Sequence, residues 1–290
     1  MILDHLLASP PQLAPEPPYD LPVLGKTWEY LFFASQIIIC VGSIVYTIRA
    51  GRRSKTLIPL MCMVGGAMTI FLEPLVDAQL QVWWPIHYQP DVLHVWGRNI
   101  PVMILFVVTW YFGLNAAMRY QWMQDKGPAT RLWTLYAIEV GCALALEPPA
   151  IQLRLWHYYG EQGFRIFGYP IWWPFVGGAC CMAAGTVVYL LAPYLTGIRV
   201  VLVAFIVPMA VAAAYWGVGW PMFNVLNTQP AKWVVYPASF VSIGLAFLVV
   251  WICTVATGHH GYLMEKRKQR KLAKQPKGPS GEHVAVPVQA

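Results

Sequence analysis

The sequence predicts an all-α polytopic membrane protein with seven transmembrane helices, and three observations carry that expectation. Seven apolar stretches each reach the roughly 20 residues needed to cross the hydrocarbon of a bilayer. Charged residues make up only 11% of the chain while hydrophobic ones make up 58%, where soluble domains run near a quarter charged. Lys and Arg are also unequally shared between alternate connecting loops, as topology in a membrane requires.

The elements follow in order. Residues 1–27 form an extracytoplasmic arm that opens MILDHLLASPPQLAPEPPYDLP; it lacks a basic start and an apolar core, so it does not read as a cleavable signal. The seven-helix domain occupies 28–258, with spans near 28–48, 57–79, 100–119, 131–152, 170–192, 198–219 and 235–257. Basic residues collect after the first span (Arg49, Arg52, Arg53, Lys55), the third (Arg119, Lys126, Arg131), the fifth (Arg199) and the seventh. The alternate loops hold fewer: Arg98, Arg154, Arg165 and Lys232. The N-terminus is therefore expected outside and the C-terminus in the cytoplasm. Residues 259–290 form a basic, disordered tail, and much of the net charge of +7 sits there, beside lipid headgroups rather than nucleic acid. The localisation is integral to a membrane, the plasma membrane if the source is bacterial. The six cysteines lie in apolar runs without CxxC spacing and read as small packing residues.

A repeat organises the chain. LEPLVDAQLQVWW (Leu72 to Trp84) returns as LEPPAIQLRLWH (Leu146 to His157). Gln79-Leu80 matches Gln152-Leu153, and Trp83 matches Trp156. Further on, Trp96-Gly97 and Ile100-Pro101 match Phe167-Gly168 and Tyr169-Pro170, so a whole helical hairpin is duplicated. A worn third copy is expected in spans six and seven, where Trp216-Gly217 and Trp220-Pro221 precede Tyr236-Pro237. There the acid is gone, and Tyr215 or Asn224 is the nearest polar substitute. The predicted architecture is one leading helix followed by three hairpins.

The repeat also carries the chemistry. At 1.5 Å per residue, Glu73 and Glu147 both lie roughly 25 Å along their helices, at one level beneath the outer interface. Asp77 shares a helix face with Glu73. Pro74, Pro148 and Pro149 each remove a backbone donor, which is expected to free the carbonyls of Ile70, Leu144 and Ala145. Freed carbonyls must face protein or water, so the duplicated LEP predicts a polar, outward-facing pocket. The catalytic residues expected are Glu73 and Glu147 as an acid/base pair, with Asp77 orienting or tuning Glu73. Trp83, Trp84, Trp156, Trp173, Trp216, Trp220 and Asn224 are expected to hold the substrate, the indoles by offering ring faces to an apolar or cationic group. Against this stands a plainer reading in which the acids reach the interface and pair with arginines, and the tryptophans form an interfacial belt. Glu139, near the middle of the bilayer, is either a proton carrier or a hydrogen-bonded structural acid.

No P-loop, dinucleotide fingerprint or serine-hydrolase motif is present, and no cofactor is expected. His87, His94 and His157 fit no paired-ligand spacing, and no metal is expected. The partners implied are a lipophilic small molecule and membrane lipids; nothing points to nucleic acid or to a particular protein.

Seven short spans, abundant Trp and an acid near one helix end in LEPLVD make this chain resemble the integral-membrane terpene cyclases of meroterpenoid pathways and the small membrane lycopene cyclases. The resemblance implies protonation of an isoprenoid alkene or epoxide by a membrane-embedded acid, with Glu73 as donor. The chain departs from that pattern in lacking an acid in the outer half of its last span. Two other classes fit parts of the sequence. One is a proton- or cation-coupled transporter or seven-helix sensor; the other is a metal-dependent lipid hydrolase using Glu73, Asp77, His87 and His157.

Overall fold

The computed structural model describes residues 15–125, 128–228 and 232–258. The whole basic tail, the first half of the arm and Lys126 lie outside the described residues. Seven helices are long and apolar enough to cross a membrane: Lys26–Ser54, Ile58–Leu80, Val102–Gln124, Ala129–Gln152, Trp172–Tyr194, Gly197–Leu226 and Trp233–Ala256. They are called the first to seventh spans below. Large apolar side chains such as Ile38, Phe71, Met209 and Phe240 project outward from them, as a lipid-facing surface requires.

The fifth span is the hub, packing against the third, fourth, sixth and seventh. Small residues set how closely the helices approach. A Cβ on Gly66 would lie 2.6 Å from backbone atoms of Thr109 and Gly113, and one on Gly65 would lie 2.7 Å from Val207. The second span therefore meets the third and the sixth through adjacent glycines, the close-packing role small residues play between membrane helices. Five of the six cysteines are buried as expected, but Cys142 is exposed on the fourth span.

The prolines act differently in the two copies of the repeat. In the second span the α-helix Ile58–Met68 tightens into a 3₁₀ turn, Thr69–Leu72, and restarts as the short helix Glu73–Leu80. Pro74 falls in the first turn of that helix, where its missing N–H costs nothing. The Ile70 carbonyl is not freed as expected: the Glu73 N–H reaches it across the 3₁₀ turn. The fourth span runs unbroken through Pro148 and Pro149 to Gln152. The third span carries an irregularity the sequence did not announce, one π-helical turn at Thr109–Leu114.

Six short strands shape the loops at the acid-bearing end: β1 (Val82–Trp83), β2 (Asp91–Val95), β3 (Arg98–Pro101), β4 (His157–Tyr158), β5 (Arg165–Ile166) and β6 (Tyr169–Pro170). The repeat is visible in the backbone. Gln81 and Arg154, which end the two LEP helices, are both left-handed (φ 59° and 56°). Trp96-Gly97 and Phe167-Gly168 turn the β2–β3 and β5–β6 hairpins, with φ of 53° and 69° in one and 48° and 88° in the other. Positive φ at both positions is what the favoured two-residue hairpin turn demands. In the third copy the two spans are present, but Trp216-Gly217 lies inside the sixth span and Tyr236-Pro237 inside the seventh. That likeness in sequence marks no turn.

Candidate functional site

The site begins with a backbone pairing. β1 and β4 are antiparallel, with Val82 opposite Tyr158 and Trp83 opposite His157. Each strand follows one LEP helix, so the pairing ties the C-terminal ends of the second and fourth spans together. Side-chain amides close the remaining backbone. Gln162 Nε2 donates to the Leu80 carbonyl at 2.8 Å, Asn227 Nδ2 to Gln79 at 2.9 Å, and Gln81 Nε2 to Leu226 at 2.5 Å. The first two carbonyls belong to the last turn of the Glu73–Leu80 helix, which has no intrahelical donor for them.

Beneath this cap lie the three acids. Glu147 accepts from the Tyr169 hydroxyl at 2.9 Å through Oε1 and from the Tyr158 hydroxyl at 3.2 Å through Oε2. The two phenol rings meet edge to face, 5.7 Å apart. Asp77 accepts the Trp84 indole N–H at 2.6 Å, and the Arg98 guanidinium acts on it electrostatically. Glu73 interacts with Asp77, one helical turn away, yet makes no hydrogen bond to any described residue.

Tyr158 joins the two copies. Burial pushes its phenol well above the usual range, and the Glu147, Asp77 and Glu73 carboxylates add to that in turn. One hydroxyl therefore feels all three acids. Tyr169 is raised by burial first and then by Glu147 and Tyr158. Tyr215, from the sixth span, completes the group: its ring stacks on Trp173 at 5.3 Å, and its hydroxyl interacts with Glu73.

The aromatic residues expected around the acids divide. Trp84, Trp156, Trp173 and Trp216 gather there. The Trp84 and Trp156 centroids lie 6.0 Å apart, Phe32 of the first span lies 5.6 Å beyond Trp156, and Trp216 touches Tyr215. Trp83 is buried under the Arg98 guanidinium, 5.5 Å from its ring centroid, and its indole N–H has no hydrogen-bond partner among the described residues. Trp220 is 52% exposed and Asn224 is also exposed, so both point away and drop out of the expected substrate contacts. They lie on a helix whose other face, with Tyr215 and Phe223, carries the contact.

Sequence reasoning missed Tyr158, Tyr169 and Arg98. The tyrosines stood in an aromatic-rich loop with no periodicity to separate inward from outward side chains. Arg98 read as a loop charge but is buried, with its guanidinium donating to the Val82 carbonyl and to the Tyr159 hydroxyl at 2.7 Å.

Two expectations about charge also change. Arg119 is fully buried within the third span, not part of a cytoplasmic loop, and pairs with Glu139. This makes Glu139 a paired, hydrogen-bonded acid, with Arg119 Nε and Glu139 Oε1 left without hydrogen-bond partners among the described residues. The histidines do not approach the acids as a ligand set. His87 Nε2 lies 3.0 Å from Asp91, His94 pairs with Asn99, and no three His, Cys, Asp or Glu side chains converge to hold a metal among the described residues.

Near the acids, an apolar groove of about 380 Å³ runs over Pro148 and Pro149, between Leu144 and Phe167. A larger cavity, about 1520 Å³, lies at the other end of the bundle, away from these groups. Chemistry rather than size marks the acid cluster as the candidate site. No family model, no curated protein and no solved structure matches this chain.

Proposed function

We propose that this membrane-embedded chain is an acid/base enzyme that isomerises or cyclises a lipophilic isoprenoid or lipid substrate. The observation that carries the reading is the convergence of both LEP carboxylates on Tyr158, bonded to Glu147 and within electrostatic reach of Glu73 and Asp77. Glu73, with no hydrogen-bond partner among the described residues, is the group that passes a proton to a substrate alkene or epoxide. Glu147, accepting from two phenols, is the carboxylate that takes a proton back, so the cycle needs no redox partner. Trp84, Trp156, Trp173 and Tyr215 supply ring faces for the cationic intermediate between the two transfers. Asp77, fixed by Trp84, orients Glu73 from the next turn of the helix.

The acid end is assigned to the outer face, because Arg49, Arg52, Arg53 and Lys55 gather at the opposite end and cations favour the cytoplasmic side. The site lies at interface depth, where a substrate dissolved in the bilayer can reach it from the side. Comparing lipid extracts from cells that make the native chain with extracts from cells making Glu73→Gln tests the proposal. A species that accumulates in the variant at the expense of another supports it, and identical extracts sink it.

One observation favours a second reading, a proton-coupled carrier. The buried Arg119–Glu139 pair extends polar side chains toward the other end of the bundle. A proton-driven uptake or current in proteoliposomes holding the native chain is required by that reading, and silence there removes it.

A further inference from the structure

The larger cavity sits at the opposite end of the bundle from the acids and owes nothing to them. Its rim is built from three chain reversals: the end of the first span with the turn into the second, the end of the third, and the connection from the fifth to the sixth. The first reversal is tight. Lys55 is left-handed at φ 53°, and a Cβ on Gly51 would meet the Thr56 carbonyl at 2.6 Å, so the chain folds back against its own helix end. Arg49, Arg52, Arg53 and Lys55 all line the recess from this corner, against a single lining acid, Asp125.

Ordinary causes account for only part of this. Cations in the last turn of a helix offset its dipole, which covers Arg52 and Arg53. Charge asymmetry between loops accounts for basic residues at this end, but not for four of them around one recess. Among the described residues none of the four makes an ion pair or a side-chain hydrogen bond. Apolar side chains stand beside the cations: Leu57 and Leu190 line the recess while remaining exposed, and Ile198, next to the lining Gly197, is 85% exposed. Tyr46 and Gln121, bonded to each other at 2.8 Å, close one wall between the first and third spans.

We propose that this recess is a binding site for a phosphate-bearing anion, with the arginines and Lys55 as its cationic contacts. Guanidinium groups match phosphate oxygens through paired N–H donors, and clustered Lys and Arg between membrane helices suit phospholipid headgroups. The apolar shoulder fits a phosphate carried on a lipid, whose chains would lie along Leu57, Leu190 and Ile198. A soluble phosphate would use the same cations without the shoulder.

The test uses the full chain purified in neutral detergent, and native mass spectrometry counts retained lipid on titration with phosphatidylglycerol or phosphatidylcholine. Preferential retention of phosphatidylglycerol, weakened about tenfold or more in Arg52→Gln/Arg53→Gln, supports the proposal. The equal-charge control Lys26→Gln/Arg154→Gln, at the other end, is expected to bind as the native chain does, and Arg52→Lys/Arg53→Lys to keep most of the affinity. In a second arm inorganic pyrophosphate is added without lipid. Thermal protection of the native chain that is lost in Arg52→Gln/Arg53→Gln assigns the same site to a soluble phosphate. If that variant does not fold, Arg49→Gln/Lys55→Gln takes its place in both arms. The proposal is overturned if neither probe binds, if phosphatidylcholine is retained equally, or if both charge-removing doubles lose affinity alike.

Discussion

The Tyr169 hydroxyl lies 2.9 Å from Glu147 Oε1, joining β6, the last strand before the fifth span, to the acid of the fourth. Tyr158 takes the other carboxylate oxygen at 3.2 Å, and β1–β4 pairing holds Tyr158 opposite Val82, two residues beyond the end of the other LEP helix. The strand pairing thus brings the end of one LEP helix to a residue that hydrogen-bonds the acid of the other.

Removing the acids should remove turnover. Glu73→Gln and Glu147→Gln are each expected to lower conversion of the substrate about 10²–10⁴-fold, the usual worth of a general acid or base. Tyr169→Phe deletes one of two hydrogen bonds to Glu147 and should cost only about tenfold. The readout is substrate conversion in isolated membranes, and a Tyr169→Phe effect as large as that of Glu147→Gln would mean the phenol itself transfers the proton.

Trp84→Phe keeps an aromatic ring, smaller than the indole, and deletes the donor to Asp77. Leaving the buried Asp77 acceptor without its donor costs about 1–3 kcal/mol, so the melting temperature in detergent should fall by several degrees. Trp220→Phe, on the exposed face, should leave it unchanged within about 0.5 kcal/mol.

Breaking the Arg119–Glu139 pair should be more damaging than replacing it. Glu139→Gln leaves a fully buried guanidinium without its counter-charge and is expected to cost about 3–5 kcal/mol. Arg119→Met with Glu139→Leu should recover most of that loss. Thermal unfolding of the three chains decides it, and a double variant no better than the single would show the pair is not acting as one unit.

Stability should depend on pH through His157, which lies outside the spans. Burial, then Arg165 and Arg154, lower its pKa below the ordinary 6.5. The folded state therefore prefers the neutral ring, while the unfolded chain takes up a proton near 6.5. The contribution is fully present above 6.5 and is lost as pH falls through the lower folded value. His157→Gln should flatten that part of a stability-against-pH curve measured by denaturant unfolding.

Gly66→Ala should disrupt the contact of the second and third spans. The added Cβ would meet backbone atoms at 2.6 Å, which cannot rotate away, and overpacking of this kind costs about 1–3 kcal/mol. Gly42→Ala, where a Cβ meets nothing within 4 Å, is the control and should be neutral in the same unfolding assay.

The sequence by itself determined the number of spans, because the bilayer demands an unbroken apolar length that 290 residues display seven times. It also determined the repeat, since Gly97 and Gly168 stand where each matching hairpin turn needs a positive φ, and Gln81 and Arg154 share a left-handed backbone at equivalent positions. Which side chains turn inward was decided by the tertiary structure. Trp173 and Trp220 look alike in an apolar run, yet one stacks on Tyr215 and the other faces outward, because only packing against neighbouring helices selects a helix face. Arg119 read as a loop charge until the third span proved long enough to carry it into the interior, and the glycine at Gly185 leaves room for it against the fifth span. The placing of Tyr158 on Glu147 and within electrostatic reach of Asp77 and Glu73 rests on a strand pairing between residues more than 70 positions apart in the chain, whose partners are chosen by the folded bundle and leave no period in the sequence.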